Sequence, residues 1–491
     1  MAAQHVEVER KYDADAGFGL PELSGLPGVA TVGRARSHRL HATYFDTDDL
    51  RLSAHGITLR RRRGGDDAGW HLKMPVGPDS KIETRAPLGR ARVVPARLAN
   101  LVAAYTRGAA LRPVATLETE RTVLPLLDED GAVLAEVADD AVTGRVLRDD
   151  HDAAASWREI EVELGTGEPG LLRAAGKRLR KAGARRSASS SKLGRLLNGA
   201  VPRAPGEPAD DGSAGAAVRA YLAAQAAAIL RYDPKARVAE EDAVHRMRVA
   251  VRRVRSALRS YRPLLERERV DPLRPELQWL AEVLGEVRDL EVLRMRFTAR
   301  LDELGVGDAG REWLDELARK ERSAYRRLNA ALKEPRYFAL LDALERLVAD
   351  PPLTDRAARR ATKELPVLVA RAWRRMERAH AAIATAEDAD VARHETRKSA
   401  KRARYAAELA VPVLGETAAR AARDARSVQE VFGGHQDGVI AMAHLREIAA
   451  GVRTPAEAFT IGVLYGVERC EAQTSLDGLE RTWQRIGAPA F

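Results

Sequence analysis

The chain begins with two carboxylates and an ammonium at alternating positions. Glu7, Glu9 and Lys11 lie two residues apart, so a β-strand would project all three side chains from one face. A half-buried strand with a solvated polar face has the same alternation, so this segment alone does not establish a site. A second segment, residues 159–163 (EIEVE), again places three carboxylates on one face. Grouped carboxylates are the ligands that a hard divalent cation such as Mg²⁺ prefers.

Basic residues on strands predicted between these segments supply the opposite charge. Each one alone is more typical of a solvated surface, but together they fit a barrel with a polar lumen. Guanidinium and ammonium groups bind phosphate oxygens, whereas carboxylates repel a triphosphate unless metal ions lie between them. Clustered acids facing clustered bases therefore predict metal-assisted hydrolysis of a triphosphate. The basic candidates are Arg60, Arg62, Lys73, Arg85 and Arg121, with Lys192 after a run of serines.

Other catalytic classes find no support in the sequence. No Walker-type glycine loop is present, which argues against a P-loop phosphotransferase. No pattern suggests a nucleophilic serine triad. Four histidines between residues 38 and 71 show no metal-site spacing shared with acids, so we interpret them as structural or surface residues. They are His38, His41, His55 and His71.

The composition predicts two or more domains and an anionic partner. The 491 residues exceed one ordinary hydrophobic core, and the formal net charge is +10 with a sequence pI near 9.7. The single Cys470 excludes an intramolecular disulfide framework. There is no N-terminal apolar signal region and no run of about 18 apolar residues. We therefore expect a soluble cytoplasmic protein without a membrane partner.

A change in composition divides the chain near residue 200. Proline, glycine and aspartate are enriched between residues 198 and 216, which is typical of an exposed linker. Short alternating segments before it predict an antiparallel β domain, and long Ala/Leu/Arg/Glu segments after it have helical periodicity. We predict a multidomain α+β protein with a domain at 1–200, a linker at 201–212 and a helical domain at 213–491.

The first domain resembles the CYTH family of triphosphate tunnel metalloenzymes over roughly residues 1–200. The resemblance rests on the E-x-E-x-K motif together with later segments in order, among them residues 44–47 (YFDT) and 59–62 (LRRR). It implies an eight-stranded antiparallel tunnel open at both ends, with Mg²⁺ or Mn²⁺ as cofactor. The implied catalytic motif is Glu7, Glu9 and Lys11, and the implied metal ligands are Glu7, Glu9, Asp139, Glu161 and Glu163. The implied triphosphate ligands are Lys11, Arg60, Arg62, Lys73, Arg85, Arg121 and Lys192.

Strand parity leaves some acidic positions open. Asp139 and Asp140 are adjacent, and Glu136 shares its face with Asp140, so counting does not establish which of them faces the tunnel. Glu159 faces the same way as Glu161 but belongs either to the lumen or to its rim. The sequence also does not identify the acid that positions the attacking water.

A basic stripe occurs twice in the helical domain. One histidine and three cations fall at i, i+3, i+7 and i+10 of a predicted helix, and the same order returns 149 residues later. Residues 284–289 are matched 148 residues later by 432–437, so a duplication is the simplest explanation. One histidine among arginines is a poor metal site because the neighbouring charges repel a cation, so an anion is expected. The stripes comprise His245, Arg248, Arg252, Arg253 and Arg255, then His394, Arg397, Lys401, Arg402 and Arg404, with Lys398 beside the second.

This half of the chain resembles the CHAD domain family over approximately residues 213–491. The resemblance implies two duplicated four-helix bundles with a basic surface, and binding of inorganic polyphosphate along both stripes. Such contacts release counterions, so binding should weaken steeply with salt. Nucleic acid is disfavoured as a partner because aromatic residues are 5% of the chain and none interleaves the stripes.

The leading hypothesis is a divalent-metal-dependent phosphoanhydride hydrolase, an inorganic triphosphatase, joined to a module that captures or localises polyphosphate. Polyphosphate granules are then one candidate location within the cytoplasm. One alternative is a non-catalytic polyphosphate-binding or granule-targeting protein. Another is a nucleotide or thiamine triphosphatase, or an adenylyl cyclase, of the same family. No base or thiamine pocket is recognisable in the sequence.

Overall fold

The computed structural model describes residues 4–147, 154–197, 199–201, 210–306, 311, 313–452 and 454–489. The chain divides into two compact units, Met1–Gly206 and Glu207–Phe491. Residues 202–209, which form most of the predicted linker, lie outside the described residues.

Strands dominate the first unit. Their bounds are β1 Gln4–Ala14, β2 Thr31–Val32, β3 Arg36–Asp46, β4 Thr58–Arg63, β5 Gly69–Gly77, β6 Ser80–Ala86, β7 Arg112–Leu127, β8 Val133–Val146, β9 Ala154–Leu164 and β10 Arg185–Arg186.

Eight of these strands close into an antiparallel barrel. Closure occurs because β1 pairs with β6 on one side and with β9 on the other. The order around the barrel is β1-β6-β5-β4-β3-β7-β8-β9, while the two-residue strands β2 and β10 pair with β7 and β1. The predicted eight-stranded antiparallel barrel is thus confirmed.

Apolar residues determine which face of the barrel wall points outward. Helix α3 covers Ile160 and Val162 on the outside of β9, and α2 covers Leu59 and Trp70 on the outside of β4 and β5. Successive side chains along a strand point to opposite faces. Because these apolar residues are buried on the outside, the polar residues between them face the lumen. The helices of this unit are α1 Arg51–Ala54, α2 Ala96–Thr106, α3 Pro169–Lys181 and α4 Lys192–Leu196.

Helix α4 fills one end of the barrel. Its N-cap Ser191 accepts a hydrogen bond of 3.0 Å from the Gly194 amide. Leu193 and Leu196 are buried in one cluster with inward-facing residues of β3, β7 and β8, among them Tyr44. A Cβ at Gly144 would approach Leu196 to 3.0 Å, so glycine on β8 leaves room for the helix. Helix α4 therefore packs against the inner wall of the barrel at this end.

The second unit is helical throughout its described residues, apart from turns. Its helices are α5 Ala214–Arg237, α6 Ala243–Ser260, α7 Arg267–Val270, α8 Leu273–Glu303, α9 Trp313–Ala331, α10 Pro335–Ala349, α11 Ala361–Ala381, α12 Ala389–Ala449, α13 Pro455–Asp477 and α14 Leu479–Arg485. Helix α12 consists of two segments that join at Gly415, where φ is 58° and ψ is −135°.

The order of helices repeats within this unit. Helices α5, α6, α8 and α9 pack consecutively, and α11, the two segments of α12 and α13 follow in the same succession. The predicted all-α second half, with a duplicated helical arrangement, is confirmed. Among the described residues, no helix is both long enough and apolar enough to cross a membrane.

Candidate active site in the barrel and basic surface of the helical unit

Three carboxylates of β1 and β9 form an acidic group in the lumen, which we call the Glu7 group: Glu7, Glu9 and Glu163. Glu9 lies directly opposite Glu163 in the pairing of the two strands. Glu7 is buried, and its Oε2 lies 2.5 Å from the Nζ atom of Lys73. Glu9 lies 3.2 Å from the Nζ atom of Lys11. The first part of the E-x-E-x-K motif therefore faces the lumen, as alternation predicts.

Negative charge in the Glu7 group is only partly compensated. Glu163 forms no ion pair with any residue that the structure describes. Burial, opposed by Lys73 and reinforced by Glu7 and Glu9, raises the pKa of Glu163 to about 7. Burial also raises the pKa of Glu7, against the attraction of Lys73. Glu9 differs, because Lys11 and two further lysines outweigh burial and lower its pKa to about 2.

A second acidic group, called here the Asp140 group, comprises Asp140, Glu159 and Glu161. One carboxylate oxygen of each lies within 4.8 Å of the others. The Nζ atom of Lys192 lies 2.8 Å from Asp140, 2.8 Å from Glu159 and 2.7 Å from Glu161. An ammonium thus already occupies the centre of this group.

Arg121 and Lys11 complete the charge balance of the Asp140 group. Arg121 donates two hydrogen bonds to Asp140, at 2.8 and 2.6 Å, and its Nη2 atom lies 2.5 Å from Glu161. Lys11, opposite Glu161 in the strand pairing, forms an ion pair with it. Burial by itself would raise the pKa of Glu161. The charges of Lys11, Lys192 and Arg121 outweigh this effect and hold that pKa well below its ordinary value.

The structure places Asp140, and not Asp139, in this group. Asp139 lies on the outer face of β8 and accepts hydrogen bonds of 2.9 and 2.7 Å from Arg158. Glu136 shares the inward parity of Asp140, but its side chain is 43% exposed. The sequence expectation for Asp139 therefore differs from the structure by one residue, and adjacent strand residues face opposite sides.

Two arginines of β4 line the lumen opposite the acids. Arg60 donates to the Tyr44 hydroxyl at 3.3 Å, and Arg62 forms an ion pair with Asp67. The Nε atoms of both arginines are buried without a hydrogen-bond partner. Burial, followed by the charge of Arg60, lowers the pKa of Arg62 to about 10. Buried guanidinium donors without partners favour an anionic ligand.

Lys73 and Arg85 share a carboxylate that the sequence interpretation did not include. Glu83 is 1% exposed, is hydrogen-bonded to the Nδ1 atom of His71 at 2.8 Å, and forms an ion pair with Arg85. It lies 3.8 Å from the Nζ atom of Lys73. Burial opposes ionisation, but His71 and Lys73 keep the pKa of Glu83 well below its ordinary value. Its spacing of two residues from Arg85 was the signal that could have identified it.

Lys81 is a second lumen residue that sequence reasoning missed. Its ammonium donates to Glu9 at 2.8 Å and to the Ser190 carbonyl oxygen at 2.7 Å. Lys81 therefore joins β6 to the segment that precedes α4. The same alternation along β6 that places Arg85 in the lumen includes it.

The Glu7 group fits a divalent metal better than the Asp140 group does. Both groups offer hard carboxylate oxygens, the donors that Mg²⁺ and Mn²⁺ accept. Lys192 and Arg121 neutralise the Asp140 group, whereas Glu7 and Glu163 keep raised pKa values. A divalent cation would relieve this repulsion, so the residues present fit a metal at the Glu7 group.

In the helical unit, one arginine of each stripe has an equivalent acidic partner. The Nη2 atom of Arg248 lies 3.8 Å from Asp289, and that of Arg397 lies 3.3 Å from Asp437. The Nε atoms of both arginines are buried without a hydrogen-bond partner. The repeat seen in the sequence therefore extends to matching side-chain environments.

A glycine in each repeat accommodates these guanidinium groups. A Cβ on Gly285 would lie 3.5 Å from the nearest guanidinium nitrogens of Arg248, and a Cβ on Gly433 would lie 3.5 Å from Arg397. Each arginine therefore lies directly over the following helical segment, where a larger residue would leave it less room.

The two stripes meet around Lys401. The pKa of Lys401 is lowered to about 7. Burial is the largest cause, followed by the charges of Arg397, Arg252 and Arg248. We call these four residues the central cation group. It combines two cations of each repeat, so a single anion could contact both copies.

The other stripe residues have different surroundings. Arg253 and Arg404 both bind Glu408, at 2.9 and 2.7 Å, and the exposed Lys398 binds Glu395 at 2.7 Å. His245 lies beside the central group, where burial and nearby arginines lower its pKa. Arg255 is hydrogen-bonded to Gln278. The remaining members are Arg402 and His394, which is half-buried.

Comparison with known proteins assigns each unit to a family. A CYTH domain model matches residues 5–196, and a CHAD domain model matches residues 220–446. The chain is 37% identical over 513 residues to an uncharacterized protein, Rv2226, of Mycobacterium tuberculosis, with 99% of this chain and 97% of that protein covered.

Two solved structures similar to this chain cover slightly more than half of it. PptA from Streptomyces chartreusis has a TM-score of 0.47 and 25% identity, over 56% of this chain and 100% of its own. The CHAD domain from the plant Ricinus communis has a TM-score of 0.46 and 24% identity, over 59% of this chain and 98% of its own. From the two domain models and the full-length relative, the chain belongs to the family that joins a CYTH domain, of the triphosphate tunnel metalloenzymes, to a polyphosphate-associated CHAD domain.

Proposed function

We propose that this protein is a divalent-metal-dependent inorganic triphosphatase whose helical domain binds inorganic polyphosphate. One observation carries the proposal. Within one closed barrel, an acidic group whose charge is only partly compensated faces arginines whose buried Nε donors lack partners. A metal-bound triphosphate satisfies both requirements, because the metal neutralises the acids and the phosphates accept hydrogen bonds from the arginines.

The Glu7 group is the proposed metal site, with Mg²⁺ or Mn²⁺ as the ion. Glu161 lies between Glu163 and Glu159 on the same face of β9, so it can reach either acidic group. Asp140 replaces Asp139 as the candidate metal ligand from β8. When bound, the ion would screen the charge of the phosphates and lower the pKa of a water ligand. The catalytic motif remains Glu7, Glu9 and Lys11.

The lumen cations are the proposed phosphate ligands. Arg60 and Arg62 offer free Nε donors, and the guanidinium of Arg85 is 47% exposed. Ammonium groups that now bind carboxylates can also donate to phosphate oxygens, because each carries three N–H donors. Placed around the transferred phosphoryl group, these charges would stabilise the negative charge that spreads over its oxygens. The full set is Lys11, Arg60, Arg62, Lys73, Arg85, Arg121 and Lys192, with Lys81 added.

The lumen supports inorganic triphosphate as substrate over a nucleotide. Among the described lumen residues, Tyr44 has its ring in the core that α4 completes. Trp157 donates from Nε1 to Glu159 at 2.6 Å, and Arg195 lies over its ring at 5.2 Å. The ring of Tyr44 is thus buried and one face of Trp157 is covered by Arg195, which disfavours stacking on a base, the way in which proteins commonly hold one.

Phosphate release tests the enzymatic proposal. Purified protein is given triphosphate, ATP, thiamine triphosphate or long polyphosphate, with Mg²⁺ or Mn²⁺, and is compared with a Glu7→Ala/Glu9→Ala variant. We expect metal-dependent turnover that is fastest on triphosphate and absent from the variant. Absence of metal-dependent turnover on all four substrates would contradict the proposal and favour a binding protein, and fastest turnover of ATP or thiamine triphosphate would contradict the substrate assignment.

The helical domain, proposed to span residues 213–491 after the linker at 201–212, would hold polyphosphate at the central cation group. Support comes from four cations of two repeats, near which Asp289 and Asp437 are the acids that act on Lys401, Arg248 and Arg397 among the described residues. Retention at cytoplasmic polyphosphate granules is the corresponding cellular proposal. Fluorescence microscopy of a tagged protein, with and without Arg248→Glu/Arg397→Glu, tests it: loss of co-localisation in the variant supports the proposal, and diffuse signal from both opposes it.

A further inference from the structure

A second group of arginines lies beyond the central cation group, and we call it the distal arginine group. Four helices contribute to it, and three of its members were not recognised from the duplicated stripe. These three arginines have no basic counterpart in the other repeat. The positions equivalent to Arg259, Arg274 and Arg375 are Glu408, Ala422 and Ala226. The members are Arg255 and Arg259 of α6, Arg274 of α8, Arg375 of α11 and Arg402 of α12.

Positive charge in the distal arginine group is only partly compensated, since Arg274 pairs with Asp271 at 3.4 Å but three other members lack such a partner among the described residues. Within the part of the chain that the structure describes, Arg259, Arg375 and Arg402 form no ion pair. Glu395 is the acid that interacts with Arg402 and Arg259, and it already binds Lys398. The Nη1 atom of Arg402 is buried without a hydrogen-bond partner.

Burial and the mutual repulsion of these arginines lower the pKa values of Arg402 and Arg259. Burial, followed by the charges of Arg259 and Arg375, lowers the pKa of Arg402 to about 10. Burial, then Arg375 and Arg274, lowers the pKa of Arg259. Assembling like charges in this way costs free energy, and a bound polyanion would offset that cost.

The distal group is continuous with the central group along α6. Arg255 interacts electrostatically with Arg252 on one side and with Arg259 and Arg274 on the other. Arg252 and Arg259 are seven residues apart, which is about 10 Å along a helix. The cations therefore form a track and not one compact pocket, and a track suits a ligand whose charge repeats along its length.

We infer that the distal arginine group is a second anion subsite, which binds phosphates of the same polyphosphate chain that the central cation group holds. This inference rests on the proposed polyphosphate binding by the helical domain. It sets a length requirement, because only a chain long enough to reach both groups gains the contacts of both. Short chains bind at the central group alone.

The test uses the full-length protein and size-fractionated sodium polyphosphates, with affinity measured by competition against a fluorescent long chain. Wild-type affinity should rise with chain length and then level off. Arg259→Glu/Arg375→Glu should lose about tenfold or more in affinity for long chains and retain the affinity for the shortest ones. The slope of log affinity against log salt should become shallower by about 1 for each phosphate that the variant no longer binds.

Controls separate this inference from the function on which it rests. Arg420→Glu reverses one exposed charge that pairs with Asp424, outside both groups, and should bind like wild type. Arg375→Lys keeps the charge and should stay close to wild type, while thermal unfolding checks that each variant is folded. If Arg259→Glu/Arg375→Glu matches Arg420→Glu at every length, the distal subsite is refuted and the proposed function stands. If wild type binds no polyphosphate of any length, the proposed function itself fails.

Discussion

Glu161 and Glu163 lie two residues apart on β9, yet their charge environments are opposite. Glu161 contacts three cations, whereas Glu163 has none within ion-pair distance among the described residues. The lowered pKa of Glu161 and the raised pKa of Glu163 both follow from this difference. The first carboxylate stabilises the cations around it, and the second is costly to the protein until a cation neutralises it.

Glutamine substitutions should therefore have opposite effects on the metal-free protein. Glu161→Gln leaves Lys11, Lys192 and Arg121 short of a partner and should lower the free energy of unfolding by about 3–5 kcal/mol. Glu163→Gln removes a buried charge without a partner and should leave stability at pH 8 unchanged or higher. Urea unfolding of the metal-free proteins measures both effects.

Metal addition provides the complementary measurement at these positions. Wild type should gain melting temperature with Mg²⁺ or Mn²⁺, and Glu163→Gln should gain much less, because it lacks one proposed ligand. A Glu163→Gln protein that is as destabilised as Glu161→Gln without metal, or that keeps the full metal-induced gain, would contradict this assignment.

Lys401 should make the proposed polyphosphate binding sensitive to pH near neutrality. Its pKa is lowered from 10.5 to about 7 in the free protein, so much of it is neutral at pH 8. A polyanion favours the protonated form, and binding at that pH therefore takes up a proton. Affinity should fall as pH rises from 6 to 9, by at most about tenfold per pH unit above 7.

Lys401→Arg provides the matched control, because arginine stays protonated throughout this range. The variant should bind with an affinity that depends much less on pH, measured by the same competition assay. The same slope in both proteins would show that another group is responsible.

At the scale of elements, the five residues of α4 determine both the end of the lumen and the position of Lys192. Leu193 is 1% exposed and follows Lys192 directly. Leu193→Ala should cost about 2–5 kcal/mol and should also lower kcat, since Lys192 loses its support. Leu171→Ala, at an equally buried site on α3 outside the barrel, should cost similar stability and retain kcat below its melting temperature. Equal kcat values for the two variants would contradict a positioning role for α4.

The sequence predicted those elements whose pattern is periodic and whose faces differ. Alternation at β1 and β9 placed Glu7, Glu9, Glu161 and Glu163 each on one strand face, and that face is the lumen because Ile160 and Val162 are buried on the outside of β9. It did not distinguish Asp139 from Asp140, since two adjacent acids point to opposite faces of a strand and either face could then be the polar one.

Other features depend on contacts between distant segments. The filling of the barrel by α4 depends on how Leu193 and Leu196 meet three strands, which no local pattern records. The distal arginines were missed for a similar reason. Arg259 and Arg375 are brought together by packing, and neither is part of the duplicated stripe.

At the scale of the whole molecule, the two sites draw on different residues. Arg248→Glu/Arg397→Glu in the full chain should weaken polyphosphate retention and make it less sensitive to salt, while kcat/KM for triphosphate stays unchanged. The reason is that no lumen residue belongs to the central cation group. Phosphate release and polyphosphate competition on the same preparation measure both. Reduced triphosphate turnover in the folded variant would reveal coupling, and unchanged retention would refute the stripe assignment.

A barrel filled at one end by α4 also restricts how a long phosphate polymer could be processed. Because Leu193 and Leu196 pack against the inner wall, we expect α4 to prevent a polymer from threading through the lumen. Only a chain terminus would then reach the Glu7 group, and products would leave by the route along which substrate entered. Any action on polyphosphate should therefore shorten chains from their ends, one release at a time, and leave internal linkages intact.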